Sequence, residues 1–347
     1  MSHPAPPTYG TSAFASPGPG HDRLVRSKAV LQSRASHEEV ARRAEKHALN
    51  GADQYLDRPI IILGAPRSGT TMLGRTLGHH ASLAYLHEPR LVWRYGNDHK
   101  SDMLSPDDAR EEVRRYIRDH LASFVREAGA TRLVEKTPSN SLRPEFVDKV
   151  LPGCRFIHIM RSPIDAVLAA QRFWRDHAYG IESFRRGHLS KRIREISLRR
   201  LPFYAKEALY RLAPRRIGRT LGQNIWGPRL PGIDGLVRDL NVLDVCALQW
   251  RMCTETAIHF GRRLPPERYI EIRLEHLSPK LFRQVLHFCE LDDHEEMLRA
   301  FDQNYTCRFE RRSGRAEERR AQADPADIER ILRWTEPTMR LIGYHSA

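Results

Sequence analysis

The residues with the clearest chemical purpose lie between Gly64 and Thr71, which read Gly-Ala-Pro-Arg-Ser-Gly-Thr-Thr. Two glycines, three hydroxyl side chains and one arginine suit a loop that wraps an anion. Glycine lets the backbone approach, amides and hydroxyls donate hydrogen bonds, and Arg67 adds positive charge. The stretch nearly fits G-x-x-x-x-G-K-[ST]: Gly64, Gly69 and Thr71 occupy its slots, but Thr70 stands in the lysine slot. Nucleoside-triphosphate enzymes place that lysine on the β- and γ-phosphates and the hydroxyl on Mg²⁺. The loop is therefore suited to an anion but not to ordinary Mg-ATP chemistry. Pro66, Arg67, Ser68, Gly69, Thr70 and Thr71 are its binding candidates. Two more cations, Lys136 and Arg161, each follow an apolar run. His87-Glu88 reads either as a proton-handling pair or as an ordinary surface pair, and the residues alone leave that open.

The flanking patterns state what must position these groups. Ile60 to Leu63 is an unbroken apolar, mostly β-branched run, as a strand buried on both faces requires. Apolar residues resume at Met72 and Leu73, so a helix over Thr71 to Leu77 should follow the loop. Ala84 to His87 reads as a strand halted by Pro89. Thr131 to Glu135 is a strand delivering Lys136, and Cys154 to Met160 one delivering Arg161. Ser162 can cap the next helix, with Pro163 at its first position and Asp165 at its third. Ser105-Pro106-Asp107-Asp108 should likewise open a helix running to about Ala128. Later elements are a helix over Leu243 to Phe260, a strand over Tyr269 to Arg273, and helices over Pro279 to Glu290 and Asp324 to Tyr344. Three strands thus end in an anion-binding or cationic feature. In an open parallel sheet the ligand crevice lies at the carboxyl ends of the strands. The expected fold class is α/β: a P-loop-type central parallel sheet flanked by helices, with a helical basic insertion.

Pro66-Arg67-Ser68-Gly69-Thr70-Thr71 resembles the 5′-phosphosulfate loop of the PAPS-dependent sulfotransferases, near the tyrosylprotein and bacterial carbohydrate or lipid branches. Arg161-Ser162-Pro163-Ile164-Asp165 resembles that family's 3′-phosphate signature, and the intervening Glu-Lys-Thr-Pro segment fits as well. Arg58 to Gln171 is covered well, the rest loosely. The resemblance implies sulfuryl transfer from PAPS (3′-phosphoadenosine 5′-phosphosulfate) to an acceptor hydroxyl. It implies Glu88 as general base, with His87 as runner-up, and Lys136 and Arg67 as stabilisers of the transferring group. Arg161 would grip the 3′-phosphate, and no metal is implied. One departure stands out: the family has serine eight residues after that arginine, and here Ala169 stands there. A late basic loop covers the nucleotide in the family; Arg308 to Arg315, with a glycine turn, is the matching region, and Arg311, Arg312 and Arg315 are the candidates.

The 347 residues carry 57 Lys and Arg against 43 Asp and Glu, a formal net charge of +14. Arg185 to Arg229 alone holds 13 basic and two acidic residues. Such a segment suits an anionic membrane surface, an acidic acceptor, or solvated packing on the domain. No helix-turn-helix, zinc or RNA-recognition signature is present, so nucleic acid is not the expected partner. Five scattered cysteines without a C-x-x-C indicate reduced thiols. Residues 1–50 read as a tail with lead-in helices, without a secretory signal, and 51–347 as the catalytic domain with its insertion at about 180–235. The expected location is cytoplasmic, with peripheral membrane contact through 185–229. Trp226 and Arg229 are candidates for an acceptor site. Two rival readings are a P-loop nucleotide kinase-like enzyme and a non-catalytic anion- or membrane-binding protein.

Overall fold

A computed structural model describes residues 53–177, 225–292, 295–305 and 311–344. The apolar run forms the central strand β1 (Ile60–Leu63), with every residue buried. Around it lie β2 (Leu83–His87), β3 (Arg132–Lys136), β4 (Arg155–Met160) and β5 (Tyr269–Arg273). The order is β2-β3-β1-β4-β5 and every pairing is parallel. A parallel ladder needs long crossovers, and helices supply them. The all-parallel sheet flanked by helices is the architecture expected from the apolar runs.

Alternation along β1 feeds two cores. Ile61 and Leu63 pack with α3 (Glu111–Glu127) and α4 (Pro144–Val150), through Val113, Ile117, Leu121, Phe146 and Val147. Ile60 and Ile62 pack with α1 (Thr70–Leu77), α8 (Pro279–Phe288) and α9 (Glu295–Tyr305), through Leu73, Leu77, Phe282, Val285 and Phe301. A third core joins α5 (Pro163–His177), α7 (Val242–Gly261) and α11 (Pro325–Ile342) around Trp174 and Trp250. The shorter helices are α2 (Arg90–Trp93), α6 (Ile233–Asp239) and α10 (Arg311–Ala321).

Two expected elements differ. Ser105 to Asp108 does form a capping box, but it closes only a 3₁₀ turn over Pro106–Asp108. Ala109 and Arg110 then leave helical geometry, at ψ 56 and ψ 158, and α3 starts at Glu111. Asp108, which closes the box, also pairs with Lys100. The late basic stretch is not a loop with a glycine turn: Arg311 to Ala321 is helical, with Gly314 inside it. Arginine, glutamate and alanine favour helix enough to absorb the roughly 1 kcal/mol cost of one glycine. The expected tail over 1–50, most of the insertion at 180–235, and the membrane contact read into 185–229 lie largely outside the described residues. No helix among the described residues is long and apolar enough to cross a membrane.

One buried polar residue predicts how stability varies with pH. His158, on β4, is fully buried; Nδ1 lies 2.9 Å from the Tyr269 hydroxyl and Nε2 has no partner. Burial pushes its pKa down to about 4. The unfolded chain then binds a proton that the folded one refuses, so stability falls as pH drops from about 6.5 through 4. Glu135, pushed up to about 7 by its burial, slopes the other way, so the two are best separated by substitution. Relative to His158→Asn, the wild-type protein should lose about 2 kcal/mol between pH 7 and pH 5 in urea titrations. Parallel pH dependences in the two proteins would refute this.

Candidate functional site

The loop after β1 owes its shape to crowding. A Cβ at Gly64 would sit 2.5 Å from the Ile159 carbonyl oxygen on the neighbouring strand, so only glycine fits there. Gly69 has φ 92, a left-handed conformation that glycine adopts freely, and it caps α1. Arg67 is left-handed as well, at φ 69, despite its side chain. Such strain costs of order 1 kcal/mol and persists where surrounding structure imposes it. Ser68 is fully buried and its hydroxyl has no partner among the described residues. A buried hydroxyl of this kind can donate to an anionic oxygen. Thr70 is buried and Thr71 half-buried, at the first turn of α1. Pro66, buried, and Gly69 complete the turn.

The other predicted cations flank this loop. Lys136 ends β3 and Arg161 follows β4, the two strands that pair with β1. Arg161 donates from Nη1 to the Arg67 carbonyl at 3.1 Å, and its own carbonyl accepts from Trp250 Nε1 at 3.1 Å. The Arg67 guanidinium sits 5.2 Å over the Phe173 ring. Phe173 in turn packs against Trp226, with centroids 4.9 Å apart. Loop, arginines and aromatic residues are therefore contiguous.

Glu88 lies at the end of β2, in a left-handed conformation at φ 52. Its amide donates to the Lys136 carbonyl at 2.9 Å, and its carbonyl accepts from the Arg90 amide at 2.8 Å. Oε1 is 2.5 Å from Lys136 Nζ and Oε2 is 3.0 Å from Arg90 Nη2. Burial pushes this carboxyl up, but Arg90 and Lys136 outweigh burial and hold it below the usual carboxylate range. Lys136, only 1% exposed, is pushed down by burial and partly restored by Glu88. The ammonium is thus a desolvated charge in direct contact with one carboxylate. His87 Nε2 is 3.9 Å from Glu88 and its side chain is 42% exposed, the more solvated of the pair.

The remaining candidates vary. Ser162 does not cap α5 with help from Asp165. Glu275 Oε1 takes the Ser162 amide at 2.7 Å instead, and Tyr344 donates to Oε2 at 2.9 Å. Asp165 Oδ2 binds Arg320 of α10 at 3.0 Å, while Oδ1 has no partner among the described residues. Ala169 is buried one turn further along α5. Arg311 and Arg312 open α10, and their side chains, like that of Arg315, lie outside the described residues.

The sequence reading overlooked a buried polar set beside the lysine. The Glu135 carboxyl is fully buried and accepts from Thr137 Oγ1 at 2.5 Å and Asn140 Nδ2 at 2.9 Å. Asp102 accepts from Arg143, Ser139 and the Arg229 amide. The available signal was the run Thr-Pro-Ser-Asn-Ser straight after a buried strand. That many hydrogen-bonding side chains beside a core strand must find partners inside.

Residues 59–217 match the sequence model of the Sulfotransferase family. This stretch belongs to the sulfotransferase family. The loop after β1, the Glu88–Lys136 pair and Arg161 all fall within the matched residues. An Aquifex aeolicus (strain VF5) protein, described as uncharacterized, is 26% identical over 136 residues, covering 35% of this chain and 18% of its own length. The chain thus spans under a fifth of that curated relative. Among solved structures, a sulfotransferase STF9 from Mycobacterium avium aligns at 13% identity over 87% of this chain and 81% of that one, with a TM-score of 0.47. The sulfotransferase domain from the curacin biosynthetic pathway aligns at 18% identity over 71% and 78%, with a TM-score of 0.42.

Proposed function

We propose that this protein moves the sulfuryl group of PAPS to a hydroxyl of a carbohydrate, glycolipid or small-molecule acceptor, with Glu88 as general base. One observation carries the reading: Glu88 and the desolvated Lys136 are in contact at the carboxyl ends of two strands, next to the strand that feeds the anion loop. The buried Ser68 hydroxyl, which has no partner among the described residues, supports a fit to the donor, as does the position of the loop at the start of α1. PAPS supplies an activated sulfuryl group carried on a phosphate. Loop amides, Ser68, Thr70 and Thr71 hold its 5′ end, and Arg67 and Lys136 offset charge developing on the departing phosphate. Arg161 takes the 3′-phosphate by charge-assisted hydrogen bonds. In this scheme side-chain cations provide the positive charge that other phosphate enzymes draw from a metal ion.

The ion pair gives Glu88 a trigger. While Lys136 and Arg90 hold it, the carboxylate is a weak base. An anion in the loop competes for Lys136, and each weakened contact raises the basicity of Glu88 beside the acceptor. The acceptor hydroxyl loses its proton to Glu88 as its oxygen bonds to sulfur and the sulfur–oxygen bond to the phosphate breaks.

Thermal melting separates this reading from a kinase-like one. Saturating 3′,5′-ADP should raise Tm by roughly 5 °C, as a ligand at about 100 times its Kd does for a domain of this size. ATP with Mg²⁺ should do much less. The reverse order would sink the proposal.

A further inference from the structure

Immediately after Lys136 and Thr137 comes a 3₁₀ turn, Pro138–Leu142, all of it buried. Its three central side chains are consecutive and polar, and each leads to a different part of the site. Ser139 Oγ donates to Asp102 Oδ2 at 2.9 Å. Asp102 in turn clasps Arg229 by two bonds: the Arg229 amide donates to Oδ2 at 2.7 Å, and the Asp102 amide donates to the Arg229 carbonyl at 2.8 Å. With Gln249 Nε2, which donates to the Trp226 and Pro228 carbonyls at 2.9 Å, that clasp holds the segment 225–230, which carries Trp226 against Phe173 under Arg67. Asn140 Nδ2 donates to Glu135 Oε2, bracing the last turn of the strand that ends in Lys136. Ser141 Oγ accepts from the Gly64 amide at 2.8 Å, at the first residue of the anion loop.

A buried turn needs its polar groups satisfied, but most side-chain hydrogen bonds in proteins go to nearby backbone or water. Here the bonds of Ser139 and Ser141 reach partners 37 and 77 residues away. Nothing in the turn's own geometry demands those destinations. We propose that Ser139-Asn140-Ser141 is a positioning element that sets the anion loop, the Lys136 strand end and the Trp226–Arg229 segment against one another. Ser141 governs the loop, Ser139 governs the segment, and the two effects are separable. The meaning of this for donor binding rests on the sulfuryl-transfer reading above; the positioning itself does not.

Hydrogen exchange by mass spectrometry tests it on the full chain. Ser141→Ala should speed exchange about tenfold in peptides spanning 64–70 and leave 225–230 unchanged, since one buried hydrogen bond is lost. Ser139→Ala should do the opposite. Equal loosening of both segments by both variants, or of neither, overturns the proposal. If Ser141→Ala fails to fold, Ser141→Cys places a weaker acceptor of similar size there and should give the same pattern at smaller amplitude. Calorimetry with 3′,5′-ADP is the second arm. Ser141→Ala should bind it about tenfold more weakly and Ser139→Ala within about twofold of wild type. A purely structural turn would lower both alike. Should the wild type itself not bind 3′,5′-ADP, the sulfuryl-transfer reading falls, and the exchange pattern still decides whether the turn positions these segments.

Discussion

Glu88→Gln is expected to lower kcat about 10²–10⁴-fold, the usual worth of a positioned general base, while 3′,5′-ADP affinity stays within about twofold. Glutamine is the informative substitution because it keeps an oxygen for Lys136 Nζ, which is otherwise 1% exposed and would be left buried without its partner. Alanine would confound lost basicity with a stranded ammonium. A fall in nucleotide affinity matching the fall in rate would mean that Glu88 shapes the donor site instead of taking a proton. The pH profile adds a second check. Arg90 and Lys136 hold Glu88 below the usual carboxylate range in the free protein, so kcat/KM should show no acid limb near the ordinary glutamate value. A histidine base at this position would place an acid limb near about 6.5. An inflection there that disappears in His87→Asn would transfer the base to His87 and refute the assignment of Glu88.

The parallel sheet was legible because Ile60 to Leu63, Arg132 to Lys136 and Arg155 to Met160 can be buried on both faces only between strands and under helices. The loop was legible in part for a local reason: the left-handed turn at Gly69 is a property of short sequence, whereas the crowding that requires Gly64 comes from Ile159 on the neighbouring strand. Lys136 and Arg161 could be placed together because strand ends in such a sheet share one edge. Sequence reading failed where partners are set by distance in the chain. Ser105 to Asp108 has every local mark of a helix start, yet the chain leaves helical geometry at Ala109 after one turn. Glu275, not Asp165, satisfies the start of α5, from 113 residues away. The long bonds of Ser139 and Ser141 follow the same rule, since short hydroxyl side chains carry no record of which distant group will face them. Patterns of apolar residues fix layers; buried polar pairings are settled only once those layers have met.

Those pairings also predict the largest effect on stability. Arg143 is fully buried and Asp102 is 6% exposed at its side chain, 3.3 Å from Arg143 Nη1. Burial alone would push the Asp102 carboxyl up, but Arg143, the Arg229 amide and Ser139 outweigh it and hold it ionised. Arg143→Met should therefore destabilise the protein by about 3–5 kcal/mol, because it leaves a buried carboxylate without its cation. Asp102→Leu should cost a similar amount by stranding the guanidinium. The double substitution separates two sources of that cost. If the ion pair alone mattered, methionine and leucine of matching bulk would restore nearly all the stability, as buried pairs often allow. Asp102 does more: it also accepts from Ser139 and from the Arg229 amide. Those donors remain unsatisfied in the double variant, at about 1–3 kcal/mol for each buried group. Urea titrations should accordingly show strong coupling between the two sites with incomplete recovery. Full recovery would mean that the bonds to Ser139 and Arg229 contribute nothing to the folded state. Simple additivity would mean that Arg143 and Asp102 do not act as a pair at all.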